Sequence, residues 1–187
     1  YVDERQDGGD NQGRPETFLC VHGEPTWGYL YRNIIPRLRR HGRVVVPDQM
    51  GFGKSETPLD RRYTIQEHCE NIERLVLDLD LTNITLVLQD WGGPIGSMIA
   101  YRHPERVKRL CVMNSMVGGR SPEDASAFAV SPWPVWVGSS NFEPTIRNLN
   151  STVLSVMKRI GFERTAHVDE TWIRAYATPF PTPESCI

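Results

Sequence analysis

The sequence feature that most constrains the fold is an apolar run that ends in a tight, glycine-containing turn and continues as an apolar helical segment. The run covers residues 84–88, the turn is Gln89-Asp90-Trp91-Gly92-Gly93, and the helical segment covers 94–100. β-Branched residues favour a strand, and a strand–turn–helix junction of this kind displays the residue at its turn. We therefore predict that Asp90 stands at a sharp elbow between a strand and a helix.

A carboxylate at such an elbow indicates a particular chemistry. A carboxylate nucleophile forms an ester with its substrate, and an ester at an alkyl carbon arises by displacing a halide or opening an epoxide. Asp90 has an alternative interpretation as a helix N-cap, a position where Asp is common. The neighbouring Gln89, Trp91 and two glycines favour the elbow, since a helix N-cap requires none of these residues. Leu88 is a departure, because elbows usually carry a small residue two positions before the nucleophile.

The remaining pattern alternates strands with helices. Further strands are predicted at 17–21, 44–46 and 109–113, and helices at 29–40, with a bend at Pro36, and after Thr64, which forms a capping-box pattern with Glu67. This alternation predicts an α/β fold with a parallel sheet and helices on both faces. Residues 1–16 are predicted to be a surface lead-in. Residues 115–144 show no strand pattern, and helical stretches are predicted near 145–160 and 169–177.

Composition excludes several classes of function. The net charge of −2 offers no electrostatic case for nucleic acid or an anionic membrane as a partner. No apolar run approaches the roughly 20 residues that cross a bilayer. The four cysteines lack zinc-ligand spacing, and the acidic residues and histidines form no ligand cluster, so no metal or cofactor is expected. The isolated cysteines favour a reduced, cytoplasmic protein.

Two loops suggest specific roles. The segment 51–55 ends like a phosphate-binding loop, but Asp48 stands where that motif requires glycine, so a structural turn is the better interpretation. The segment 22–27 (HGEPTW) closes the first buried strand. Ester hydrolysis passes through an oxyanion that needs two preorganised N–H donors. The backbone N–H groups of Trp91, just after the nucleophile, and of Glu24, in the earlier loop, are the candidates.

The indole of Trp91 is a candidate halide donor. A departing halide needs N–H donors in a dry site, where water does not compete to solvate it. A second tryptophan would complete a clamp, and the sequence offers Trp133 and Trp136. Packing is the equally weighted alternative for these aromatic residues.

Together these motifs resemble the haloalkane dehalogenases of the α/β-hydrolase fold. The resemblance rests on segments 22–32, 47–48, 51–55 and 89–93, and covers residues 15–114 most closely. It implies an α/β-hydrolase core over 1–114 and an incomplete helical cap over 115–187. It also implies that the complete enzyme cleaves the carbon–halogen bond of a small haloalkane, giving alcohol and halide through an aspartyl alkyl ester, with no cofactor or metal.

The resemblance carries over to individual positions. Asp90 is the implied nucleophile, and the backbone N–H groups of Trp91 and Glu24 are the implied oxyanion donors. The implied halide donors are Trp91 and Trp136, with Trp133 as the alternative to Trp136. Phe128 is an implied residue of the substrate pocket. Asn114 occupies the position from which another branch of the family takes its acid. None of the five histidines matches the general base, so the chain is expected to be a fragment of a longer enzyme.

Two other functions stay open from the sequence. An epoxide hydrolase shares the carboxylate nucleophile but needs cap tyrosines to protonate the opening ring, and Tyr176 is the one tyrosine in the predicted cap. A non-catalytic binding protein on the same scaffold is the alternative outside enzymes, because a fold does not fix a function.

Overall fold

The computed structural model describes residues 1–5, 15–118, 121–130, 132–149 and 168–186. Within these residues five strands form one sheet in the order β1-β3-β2-β4-β5. The strands are β1 (Val2–Glu4), β2 (Glu16–Val21), β3 (Gly42–Val46), β4 (Ile84–Gln89) and β5 (Val107–Met113). The last four are mutually parallel, as the sequence predicts, whereas β1 pairs antiparallel with β3, so the sheet is mixed.

Helices cover both faces of the sheet, which confirms the predicted α/β class. On one face α2 (Ile65–Asp78) and α3 (Gly92–Arg102) pack on a core that includes Leu19, Leu86 and Leu88. On the other face a 3-10 turn over Gly28–Tyr31 and the short α1 (Ile35–Leu38) pack on alternate residues of the same strands. Burial on both faces explains why these strands are almost continuously apolar.

Two predicted elements of this region need correction. The predicted lead-in over 1–16 contains strand β1, whose edge position is secured by backbone pairing and by an ion pair between Asp3 and Arg43. The predicted helix over 29–40 is two short helical pieces, because Pro36 lacks an N–H and sits in the first turn of the second piece. The capping box of Thr64 and Glu67 is confirmed, and Cys69, Ile72 and Val76 form the buried stripe of α2.

The chain divides into two compact units, residues 1–118 and 119–187. The described part of the second unit is helical: α4 (Pro122–Ala129), α5 (Pro132–Val137), α6 (Phe142–Leu149) and α7 (Glu170–Ala177). The segment 115–144, where the sequence shows no strand pattern, contains α4 and α5, each starting at a proline whose fixed φ suits a first helical turn. Residues 150–160 of the predicted helix at 145–160 lie outside the described residues.

None of the helices in the described part of the chain has both the length and the apolar composition needed to span a bilayer.

Candidate active site

The elbow is formed by the end of β4 and the start of α3. Asp90 lies between them with φ of 51°, in the left-handed region that costs a non-glycine residue about 1–2 kcal/mol. The two glycines that follow allow the turn to pack tightly. A Cβ atom on Gly92 would collide with the Val21 carbonyl, and one on Gly93 would collide with the Ser115 hydroxyl. The sequence-predicted elbow is therefore present, with a strained carboxylate residue at its apex.

Leu88, the departure from the usual elbow pattern, has a structural explanation. Its side chain is fully buried against the helix that follows the turn. A Cβ atom on Gly96 would collide with the Leu88 side chain, so the missing Cβ of Gly96 provides the space. The small residue that elbows usually place before the nucleophile stands instead one turn into the helix.

The Asp90 carboxylate is held from a neighbouring strand end. The register pairs Val21 of β2 with Leu88 of β4, which brings the turn after β2 level with the elbow. The backbone N–H of Glu24 donates to Asp90 Oδ1 at 2.9 Å. The N-cap residue of α3 is Trp91, and it makes no side-chain cap hydrogen bond. Asp90 thus accepts a hydrogen bond from a residue 66 positions away, which argues against the interpretation as a helix cap.

Burial and hydrogen bonding act in opposite directions on Asp90. The side chain is half-buried, and desolvation raises the pKa of its carboxyl group, while hydrogen bonds from the backbone N–H groups of Trp91 and Glu24 lower it. The pKa of the Glu24 carboxyl group is also raised, mainly by desolvation of that group and secondly by the Asp90 charge, although Glu24 as a residue is exposed. A poorly hydrated carboxylate is more basic and more nucleophilic than a solvated one.

Close packing leaves little freedom at this point. A Cβ atom on Gly23 would collide with the Asp90 carboxylate and with the backbone nitrogen of Trp91. The backbone of the turn after β2 therefore lies directly against the candidate nucleophile. Two N–H donors and one carboxylate meet here, and this arrangement can bind an anionic oxygen.

The predicted tryptophans lie in different units. Trp91 is half-buried, and its side chain packs against the core formed with α2 and α3. Trp136 lies in α5, also half-buried, and its ring contacts Phe142 edge-on at 5.0 Å between centroids. Phe128 and Trp133 lie in α4 and α5, and their side chains lie outside the described part. The proposed halide role of these residues stays a prediction.

Two of the described histidines are engaged by groups other than Asp90. His22 is buried and uses both ring nitrogens, one with the Gly23 carbonyl and one with the backbone N–H of Gln49. His103 caps α3 and bonds Glu73 at 2.7 Å. The remaining histidines are His41, which is exposed, His68, which is half-buried in α2, and His167, which lies outside the described residues.

Three residues of this region were missed by sequence reasoning. Ser115 donates a hydrogen bond from its hydroxyl to the Asp90 carbonyl and so fixes the elbow from the segment after β5. Gln49 bonds His22 from the segment after β3, and Gly96 makes room for Leu88. These contacts join positions that are 25, 27 and 8 residues apart, and no local pattern marks these residues.

The loop 51–55 is a structural turn centred on Asp48. The Asp48 carboxylate accepts N–H bonds from Gly28 at 2.7 Å and from Lys54 at 3.0 Å. A Cβ atom on Gly53, whose φ is 58°, would collide with the Asp48 side chain. The space that a phosphate would need is therefore occupied by a carboxylate of the protein. Among the described residues, no three His, Cys, Asp or Glu side chains form a group that could hold a metal ion.

Comparison with known proteins assigns the chain to a fold family. Residues 16–186 match the model of the alpha/beta hydrolase fold family. A haloalkane dehalogenase of Mycobacterium tuberculosis is 38% identical over 169 residues, covering 87% of this chain and 51% of that protein. A cis-3-alkyl-4-alkyloxetan-2-one decarboxylase of Shewanella oneidensis is 35% identical over 176 residues, covering 91% of this chain and 53% of that protein.

Solved structures give the same assignment. The tetrameric haloalkane dehalogenase of Paraglaciecola agarilytica superposes with a TM-score of 0.74 at 34% identity, covering 98% of this chain and 56% of that chain. The present chain spans about half the length of the curated relatives it matches. With the family model matching residues 16–186 and an elbow between β4 and α3, the chain belongs to the alpha/beta hydrolase fold family.

Proposed function

We propose that this protein cleaves carbon–halogen bonds, with Asp90 as the nucleophile. One Asp90 carboxylate oxygen attacks the alkyl carbon from the side opposite the halogen. The oxygen–carbon bond forms as the carbon–halogen bond breaks, and the bonding electron pair leaves with the halide. The product is an aspartyl alkyl ester, which water cleaves to an alcohol and the free carboxylate in the complete reaction.

The observation that carries the proposal is the hydrogen bond from the Glu24 backbone N–H to Asp90 Oδ1 at 2.9 Å. It orients a half-buried carboxylate whose pKa is raised by desolvation, at an elbow with φ of 51°. Strained backbone of this kind clusters at active sites. The similarity to haloalkane dehalogenases at 34–38% identity supports the choice of substrate class.

Trp91 is proposed to serve the reaction twice. Its backbone N–H interacts with the Asp90 carboxylate, and in ester hydrolysis it would share the oxyanion with the Glu24 N–H. Its indole N–H is proposed to bind the departing halide, together with the indole of Trp136 or, as the alternative, of Trp133. Phe128 is proposed to line the substrate pocket. A cytoplasmic location is part of the proposal, supported by the free thiols of Cys20, Cys69 and Cys111.

Hydrolysis of the ester needs a base that activates water. His22 is unsuited to this task, since it is fully buried and both its ring nitrogens have partners within the protein. We therefore expect the 187-residue chain to be alkylated once at Asp90 and to stop at the ester.

The test is incubation of the chain with a 1-bromoalkane, followed by intact-mass spectrometry, peptide mapping and bromide measurement. The expected result is one alkyl group on Asp90 and one bromide released per chain. The matched control is Asp90→Asn, which should remain unmodified. Repeated turnover would show that another group acts as the base, and alkylation at a residue other than Asp90 would overturn the proposed nucleophile.

A second candidate substrate is a cis-3-alkyl-4-alkyloxetan-2-one, the compound class named for the Shewanella oneidensis relative at 35% identity. Attack of an Asp90 carboxylate oxygen on C4, the alkyl carbon bonded to the ring oxygen, would form an aspartyl alkyl ester. The C4–O bond would break, and the lactone carboxyl group would leave as a carboxylate. Both reactions therefore release an anion on the side opposite Asp90, where the indole N–H groups are proposed to bind the halide. An adduct with the oxetanone and none with the bromoalkane would favour this second function.

Two alternatives from the sequence rank lower. In the second unit Tyr176 is buried, and its ring centroid lies 4.5 Å from that of Trp172. This packing favours a structural role over that of the proton donor of an epoxide hydrolase. A non-catalytic binding protein would show no adduct with either reagent.

A further inference from the structure

The turn that carries the Glu24 donor is held at its base by a second turn. The turn with the Glu24 donor begins at His22, directly after β2, and the second turn contains Gln49 and follows β3. The Gln49 backbone N–H donates to His22 Nε2 at 2.9 Å, and the Gln49 side-chain amide donates to the His22 carbonyl. Gln49 therefore contacts the His22 side chain and the His22 backbone at once.

The hydrogen bonds define the state of His22. Because Nε2 accepts the Gln49 N–H, the proton of the neutral ring lies on Nδ1, which donates to the Gly23 carbonyl at 2.9 Å. Burial is the main reason that the pKa of His22 is lowered to about 4, and the nearby His68 lowers this pKa further. The hydrogen bond to the Gly23 carbonyl and the Asp48 charge act in the opposite direction and raise it. The rings of Phe52 and His22 pack edge to face at 5.7 Å between centroids.

The Gly23 carbonyl also accepts from Thr26, through its N–H at 3.1 Å and its hydroxyl at 2.9 Å. The peptide groups on both sides of Gly23 are thus fixed, and the next N–H along the chain is the Glu24 donor to Asp90. Neither His22 nor Gln49 is among the groups that bond the Asp90 carboxylate. Any influence on Asp90 must pass through the backbone of residues 22–24.

We propose that Gln49 and His22 are positioning residues, a latch that sets the Glu24 N–H against Asp90 Oδ1. The inference rests on the proposed function, because it assigns the latch to the alkylation reaction of that site. Its physical basis is the steep dependence of catalysis on geometry, since a displacement of about 1 Å costs as much as roughly 100-fold in rate. A buried latch between two strand ends supplies rigidity that a surface turn lacks.

The test variant is Gln49→Met, which removes the side-chain donor, keeps the backbone N–H and preserves the length of the side chain. The matched control is Gln66→Met, on the exposed surface of α2, where Gln66 bonds Glu70. Two quantities are measured: the limiting rate of Asp90 alkylation by a 1-bromoalkane, and the pKa of Asp90 from the ¹³C NMR shift of its carboxyl carbon, assigned with Asp90→Asn.

For Gln49→Met we expect the limiting rate to fall about 10-fold, with the half-saturating bromoalkane concentration unchanged. We expect the pKa of Asp90 to rise by up to about one unit, because a weakened N–H bond stabilises the carboxylate less. Gln66→Met should change neither quantity. A merely structural role would lower the folded fraction and leave both quantities unchanged in the folded protein.

The two proposals fail in different ways. If the parent chain is not alkylated but Gln49→Met raises the Asp90 pKa, the positioning latch stands and the proposed function falls. If alkylation proceeds and Gln49→Met leaves rate and pKa unchanged, the latch is overturned. Should Gln49→Met fail to fold, Gln49→Asn, which keeps the amide but shortens its reach, is measured in the same way with the same expected directions.

Discussion

Two aspartates stand at corresponding places in the sheet and have different environments. Asp48 follows β3 and Asp90 follows β4, and each carboxylate accepts backbone N–H bonds from distant segments. At Asp48 the two carboxylate oxygens each accept one N–H, from Gly28 and from Lys54, in a turn that a glycine at φ of 58° completes. The Asp48 carboxylate therefore satisfies two backbone N–H groups of the turn and stabilises the fold.

Asp90 differs in its backbone and in its neighbours. Its own φ is 51°, and desolvation raises the pKa of its carboxyl group. An indole follows it directly. Of the two glycines after that, Gly92 allows strand β2 to approach and Gly93 allows the segment after β5 to approach. Accepting N–H bonds is therefore not what distinguishes a candidate nucleophile. Both aspartates are half-buried, so the positive φ of Asp90 and the indole beside it distinguish it.

Neutralising each carboxylate gives the largest expected contrast. Asp90→Asn should slow alkylation roughly 1000-fold or more, since the nucleophile is lost. Its stability should change little, because Asn tolerates positive φ and because removing a charge that burial disfavours offsets the weaker N–H bonds. Asp48→Asn should lower the free energy of unfolding by about 1.5–3 kcal/mol, since an amide NH₂ faces one of the two donors. Alkylation of the folded Asp48→Asn protein should persist. Urea denaturation and intact-mass spectrometry measure the two effects, and an exchange of the two phenotypes would break the comparison.

Removing the adjacent indole donor tests the second difference. Trp91→Phe should raise the barrier of the displacement step by about 2–4 kcal/mol, by analogy with the loss of one oxyanion donor. Trp172→Phe in α7 is the matched control and should leave the rate unchanged. The measurement is the first-order rate of alkylation and of bromide release. An unchanged rate in Trp91→Phe would leave Trp91 a packing residue.

Acidification tests the link between the two turns, which runs through His22 and Gln49. The pKa of His22 is lowered from 6.5 to about 4, so the unfolded chain takes up a proton that the native state excludes. The free energy of unfolding should therefore fall by about 3 kcal/mol as the pH drops from about 6.5 to about 4, with His68 adding in the same direction. Urea denaturation at several pH values measures the slope. The control variant His41→Gln should show the same dependence of unfolding free energy on pH. An unfolding free energy that does not change with pH in this range would contradict a neutral His22 in the latch.

A glycine pair gives the smallest expected effect. Gly53→Ala combines a φ of 58° with a collision against Asp48, whereas Gly118→Ala has a φ of 78° and no atom within 4 Å of the added Cβ. Both should lose about 1–2 kcal/mol of stability from backbone strain. Gly53→Ala should lose more stability than Gly118→Ala, because its methyl group must also displace the Asp48 side chain. Both folded variants should still be alkylated. Equal losses, measured by thermal or urea denaturation, would show that the Asp48 turn accommodates the methyl group.

Local patterns sufficed for much of the fold. The α/β class, the four parallel strands and the capping box of α2 follow from apolar runs and from residues within a few positions of each other. Strand β1 was missed because three residues at an edge carry too weak a pattern. The residue pattern alone did not indicate α4 and α5, because a composition rich in Gly, Pro and Ser carries no helical periodicity, although proline starts both helices.

The elbow that carries the candidate nucleophile was predictable because a short motif specifies a turn. A turn's backbone path depends mainly on its own residues, and Gln89 to Gly93 restrict it strongly. Phe128, Trp133 and Trp136 carry no such local constraint. Their roles stay predictions, since an aromatic residue on a helix serves packing as readily as binding.

The sequence by itself determined which residue stands at the elbow, because strand propensity, a carboxylate and two glycines act within ten positions. Tertiary structure alone decided what holds that residue. Ser115 on the Asp90 carbonyl, Gly96 beneath Leu88, and Gln49 on His22 are brought into contact by strand register and helix packing. Such contacts depend on the summed burial of the whole core, and no short stretch of sequence contains that information.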